Sequence, residues 1–85
     1  MADKEFKARV TVTLKNGVLD PQGKAIEGAL NSLEFDGVGN VRQGKVFDVN
    51  LTADTQKAAE ASLGDMCEKL LANTVIEDYA VEIVG

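Results

Sequence analysis

Apolar and polar side chains alternate along residues 5–15. Phe6, Ala8, Val10, Val12 and Leu14 fall on one side, and Lys7, Arg9, Thr11 and Thr13 on the other. A strand sends successive side chains to opposite faces, so the run predicts a β-strand with one buried and one wet face. Asn16-Gly17 ends it. Asp20-Pro21 then reads as a helix N-cap followed by proline at the first helical position, where the missing N–H removes no bond. Ile26, Ala29, Leu30 and Leu33 recur at helical spacing and are expected to lie on the sheet, with Lys24, Glu27 and Asn31 towards water.

Residues 35–40 (FDGVGN) read as a glycine-rich turn, and residues 41–51 as extended chain in which Phe47, Val49 and Leu51 alternate against Val46, Asp48 and Asn50. Carried backwards, that phase would put Lys45 and Gln43 inside. A slip near Gly44 is therefore expected, through a bulge or tight bend, making the segment one bent strand or two short ones. Thr52 or Asp54 is expected to cap a second helix running to about Ala72, with Ala59, Leu63, Met66 and Leu70 as its apolar stripe, Cys67 and Leu71 beside it, and Asn73 just past its end. Gly64 inside that helix costs about 1 kcal/mol relative to Ala unless another backbone packs closely there. Residues 75–84 form a closing strand, with Tyr79, Val81 and Ile83 on one side.

The predicted order is β-α-β(β)-α-β. Helices and a first strand that are each apolar on one side only call for a two-layer α+β sandwich: an antiparallel sheet of ferredoxin-like character with both helices on one face. The other face would carry Lys7, Arg9, Arg42, Asp48, Asp78 and Glu82, a mixed-sign surface that a second copy could match. Residues 1–85 are expected to form a single domain, with residues 1–4 as a flexible start.

Composition narrows the chemistry. A chain of 85 residues buries only about 60–65% of its unfolded surface, which favours oligomerisation as added support. Nine basic and 14 acidic residues give a net charge of −5, and the excess lies beyond Thr52, where seven acidic residues face only Lys57 and Lys69. Phosphate-backbone binding needs clustered Lys and Arg, so no nucleic-acid partner is expected. With no His in the chain, Ser-His and Cys-His nucleophiles and His-based zinc sites are excluded. The single Cys cannot form an internal disulfide, no apolar run reaches the roughly 18 residues of a membrane span, and residues 1–7 (MADKEFK) lack the apolar stretch of a signal peptide. A reduced, cytoplasmic setting and no membrane contact are expected.

No local motif supplies an active site. Gly37-Val38-Gly39 leads into a strand, whereas phosphate-cradling loops open a helix. Cys67 sits on the apolar side of a helix with no His to activate it. Asp65 and Lys69 read as an i, i+4 pair on a solvated face, and no acidic cluster of metal-binding type occurs.

Three stretches carry more: LDPQG (residues 19–23), VRQGK (41–45) and MCEKLLANTVIEDY (66–79). Together, in this order, they strongly resemble PurS, the small-subunit family of the multi-subunit phosphoribosylformylglycinamidine synthase of purine biosynthesis. The alanine-rich residues 53–63 match no fixed pattern. The resemblance implies a non-catalytic accessory subunit of a ligase complex, itself a homodimer or homotetramer that binds no cofactor. It would join a large PurL-type synthetase subunit, which uses ATP and Mg²⁺, to a PurQ-type glutaminase subunit that frees ammonia from glutamine. Arg42, Lys45, Asn73, Thr74, Glu77 and Tyr79, polar residues within these motifs, are the expected partner contacts. A free-standing ligand-binding regulatory domain of ferredoxin-like type is the alternative.

Overall fold

The alternating first segment is the centre of the sheet. The computed structural model describes residues 4–84. β1 (Lys4–Leu14) is flanked by β2 (Gly44–Ala53) and β3 (Glu77–Ile83), both antiparallel to it. Residues paired across strands share a face. Val10 therefore stands between Phe47 and Val81, and Ala8 between Val49 and Ile83. Two helices complete the order β-α-β-α-β: α1 (Pro21–Ser32) and α2 (Gln56–Met66), the latter continued by one π-helical turn, Cys67–Leu71. The α+β class and the antiparallel sheet agree with the sequence reading.

Strand direction decides where each helix goes. β2 and β3 are both antiparallel to β1, so they run parallel to each other, and the connection between them must return along the whole sheet. α2 makes that return across β1. It buries Leu63, and the π turn buries Cys67, against Ala8, Val10 and Val12, all of them at most 2% exposed. On the flanking strands Phe47, Val49, Leu51, Val81 and Ile83 are only half-buried.

α1, in contrast, joins antiparallel neighbours whose ends already lie at the same end of the sheet. It needs no return path, and it leaves the sheet as an arm. A strand of 11 residues spans about 36 Å. A 12-residue helix adds about 18 Å. Placed end to end they account for most of the longest dimension of the molecule, which measures 58 × 25 × 14 Å.

The expectation that Ile26, Ala29, Leu30 and Leu33 lie on their own sheet is corrected accordingly. Ile26 is 41% and Leu33 68% exposed, and Gly23 is the single buried residue of α1. The helix closes with a Schellman motif in which Phe35 N–H donates to Leu30 O and Glu34 N–H to Asn31 O, both at 3.1 Å. Glu34 takes the left-handed conformation (φ 70°) that this cap requires.

Other boundaries differ for local reasons. β2 is one unbroken strand, registered residue by residue from Gly44 opposite Thr13 to Ala53 opposite Lys4. No bulge resets its phase. Gly44 instead allows close approach, since a Cβ there would stand 2.6 Å from the Val12 carbonyl oxygen. Lys45 accordingly does take the inner face, at the sheet's end. Thr55, neither Thr52 nor Asp54, caps α2, its hydroxyl accepting from Ala58 N–H at 3.1 Å. The π turn inserts an extra residue, closing Ala72 N–H onto Cys67 O. That shift turns Leu70 outward to 83% exposure and buries Ala72 in its place. Residues 75 and 76 belong to a turn, so β3 starts at Glu77. Arg42 precedes β2 and is not on the open sheet face. The expected flexible start over residues 1–4 falls outside the described residues at 1–3, while Lys4 is already in β1.

Gly64 has nothing within 4 Å of where a Cβ would stand. Gly64→Ala should therefore stabilise the chain by about 0.5–1 kcal/mol, read from urea unfolding of the purified protein.

Candidate functional site

Three of the recognised stretches meet where the arm leaves the sheet. Residues 19–23 start α1, residues 41–45 return from it into β2, and the corner at residues 72–77 leads into β3. Asp20 joins the first two. One carboxylate oxygen accepts from Gly23 N–H at 2.8 Å as the helix cap, and the other accepts from Gln43 N–H at 2.7 Å. The side chain is buried, with both oxygens used. Gly23 packs so closely on the Val41 carbonyl that a Cβ there would overlap it. Further out, Asn31 Nδ2 donates to Glu27 O and Val38 O, and Glu27 accepts from Val41 N–H. The return segment is thus pinned along one side of α1.

The corner has its own network. Glu77 accepts from Asn73 N–H at 2.7 Å and takes Lys45 Nζ at 3.5 Å. Asn73 Oδ1 in turn accepts from Val75 N–H, and Glu77 N–H closes on Asn73 O at 2.7 Å. Arg42 donates to Lys15 O at 3.2 Å, and Lys15 pairs with Asp78 at 3.1 Å. Of the six residues expected as contacts, Lys45, Asn73 and Glu77 therefore form one linked set, Arg42 lies exposed at the base of the arm, and Thr74 sits in the corner turn. Tyr79 is on the inner face opposite Val12, its hydroxyl donating to Glu68 of the π turn at 2.8 Å.

Electrostatics fit structural roles. The N–H groups of Gln43 and then Gly23 hold the Asp20 carboxyl below its ordinary pKa. The hydrogen bond to Glu68, followed by burial, raises that of Tyr79, so the phenol stays protonated as a donor. Burial, with Glu68 adding to it, pushes the Cys67 thiol up, leaving a fully enclosed group with little thiolate. Among the described residues no three His, Cys, Asp or Glu side chains converge on a common point, and no helix is long and apolar enough to cross a membrane. The cleft beside Asp20, Gln43, Lys45 and Glu77 holds about 260 Å³, below the roughly 300–1,000 Å³ usual for small-molecule sites. The double role of Asp20 and the parts played by Lys15 and Glu68 were not apparent in the sequence, because each depends on a residue more than ten positions away.

A match to the family described as PurS, phosphoribosylformylglycinamidine (FGAM) synthase, covers residues 7–85. The chain is 46% identical over 80 residues to the phosphoribosylformylglycinamidine synthase subunit PurS of Synechocystis sp., covering 94% of this chain and 80% of that one. It is 45% identical to the corresponding subunit of Bacillus subtilis, with 92% of each covered. Its fold superposes on a chain of the structure of PurLQS from Thermotoga maritima with a TM-score of 0.87 and 31% identity, covering 95% of this chain and 99% of the other.

The Asp20 clamp sets a pH dependence. Its folded pKa lies below the ordinary value of about 4, so its contribution is present above that value and is lost as pH falls through the lower, folded one. Asp20→Asn should melt earlier than the parent at pH 7, and the gap should close in acid as the parent's carboxyl protonates; scanning calorimetry across pH 2–7 reads both.

Proposed function

The chain belongs to the PurS family, and on that premise we propose that it is the small, non-catalytic subunit of a cytoplasmic phosphoribosylformylglycinamidine synthase, acting as one unit over residues 1–85. The observation that carries this reading is the end-to-end match to a chain of PurLQS, with almost the whole of both chains superposed. The complex would convert formylglycinamide ribotide, glutamine and ATP to formylglycinamidine ribotide. ATP and Mg²⁺ belong to the PurL-type synthetase subunit, and ammonia is released by the PurQ-type glutaminase.

What this chain supplies is shape. Free ammonia in neutral water is mostly protonated and no longer a nucleophile, so a subunit that holds the two large partners together keeps the transfer short and shielded from water. The end of the sheet at the arm base serves as the contact. Arg42 and Lys45 present charge there, Arg42 being able to fork two hydrogen bonds to a carboxylate, and Thr74 offers a hydroxyl from the corner turn. Asn73, Glu77 and Tyr79 keep that corner in one conformation through the bonds to Val75, Lys45 and Glu68. Self-association of the chain is part of the same reading.

Omitting this chain from a mixture of the two large subunits should abolish or strongly reduce glutamine-dependent synthesis; unchanged turnover would end the assembly reading. Arg42→Glu should weaken binding to the large subunits on gel filtration. Because Arg42 makes one exposed hydrogen bond among the described residues and only a minor charge contact to Asp20, the melting temperature of the isolated protein should fall only slightly.

A further inference from the structure

Asn16-Gly17, in the turn between β1 and α1, takes no part in the hydrogen-bond networks at the arm base. The amide carbon of an asparagine side chain lies one ring closure away from the backbone nitrogen of the next residue. Whether the two meet depends on what holds that nitrogen and on how far the following side chain crowds it. At Asn16 neither restraint operates. Both residues are exposed in an open turn. Gly17 has no side chain, takes φ 85°, and has nothing within 4 Å of where a Cβ would stand. Among the described residues no hydrogen bond engages the Asn16 amide or Gly17 N–H. The turn is held by its neighbours instead, Val18 N–H donating to Lys15 O at 3.2 Å and Lys15 N–H to Ile76 O at 2.9 Å.

The other asparagines are restrained. Asn31 lies within α1 with its Nδ2 bonded to Glu27 O and Val38 O, and Asn50 lies within β2 opposite Lys7. Asn40 and Asn73 precede Val41 and Thr74, whose branched Cβ atoms crowd the nitrogen concerned. Val41 N–H is moreover held by Glu27, and Asn73 Oδ1 by Val75 N–H. The fold leaves one side-chain amide free to react.

We propose that Asn16 is a site of self-modification, its side-chain amide converting to a carboxylate through a cyclic imide with Gly17. The Gly17 nitrogen gives its proton to water or hydroxide and attacks Asn16 Cγ, so that a C–N bond forms and ammonia leaves. Water then adds to one of the two ring carbonyls. Cleavage at the side-chain carbonyl gives aspartate; cleavage at the backbone carbonyl gives isoaspartate, in which the main chain runs through the former side chain. Water is the only co-reactant, and nothing is oxidised or reduced. Either product adds a carboxylate, ionised at pH 7, to a chain of net charge −5.

The position gives the change a consequence. Lys15 O, which holds the turn, also accepts from Arg42 at 3.2 Å, and Lys15 Nζ pairs with Asp78. A carboxylate beside Lys15 in the chain competes for its ammonium, and the extra backbone carbon of isoaspartate displaces the carbonyl that Arg42 uses. The modification therefore loosens the arm base. Its effect on binding rests on the reading that this surface is the contact with the large subunits.

The purified chain, kept for several days in warm, mildly alkaline buffer, is sampled for intact mass and peptide maps. A gain of about 1 Da, confined to the peptide holding Asn16 and Gly17, is expected, with isoaspartate there detected by a protein-isoaspartate methyltransferase. Asn16→Gln, whose ring would be larger and slower to close, should gain nothing over the same period. Asp36-Gly37, also in an exposed turn, reaches the same kind of ring only by losing water and without change of mass, so the two sites are told apart. The chain unfolded in urea supplies the reference rate. A folded chain reacting at a comparable rate supports the proposal; one that reacts far more slowly, or that gains mass at another asparagine, would overturn it. Aged parent should bind the large subunits more weakly than fresh parent, and aged Asn16→Gln as tightly as fresh. Equal binding by aged and fresh parent, with Arg42→Glu binding weakly, would overturn the effect on the arm base, whereas Arg42→Glu binding like the parent would count against the contact itself.

Discussion

Everything in this molecule follows from β1 having antiparallel neighbours on both sides. That pairing makes β2 and β3 parallel to each other across the centre, so the chain between them has to travel back over the sheet, and α2 does so. The same pairing relieves α1 of any return. One helix becomes the cover of the core and the other an arm, although their sequences are similarly amphipathic. The fully enclosed set of Ala8, Val10, Val12, Leu63 and Cys67 is a direct consequence, because one helix roughly 10 Å wide can seal only the central strand.

The sequence made the strands and the inner faces readable wherever the period was two and uninterrupted. β1, the phase of Phe47, Val49 and Leu51, and that of Tyr79, Val81 and Ile83 are all as the alternation implies. Lys45 misled that reading. Its charge argued for a slip in phase, whereas the strand continues and the ammonium finds Glu77 across the sheet's end. A constant helical period places Leu70 inward, and a single π turn shifts everything beyond it by one position. The place of α1 was not legible at all, since an apolar stripe says that a helix will be covered and not by what.

The candidate site was legible only in outline. The stretches of chain that carry the motifs converge at one end of the sheet. Within them, however, the residues best placed to hold the geometry are Asp20 and Glu77, each gathering bonds from segments distant in sequence. Such convergence has no periodicity to betray it. The chain has no His, its one thiol is enclosed, and the cleft beside Asp20 holds about 260 Å³. Its well-defined features are a stiff corner, a pinned arm and uncovered apolar surface, and these are properties of a part that fits against others.

The most direct measurement of that claim is sedimentation of the two large subunits of the synthase at fixed concentration, with and without this chain. The account predicts one fast-sedimenting complex containing all three polypeptides when the chain is present, and separate synthetase and glutaminase boundaries when it is absent. Association of the two large subunits to the same extent without it would contradict the account.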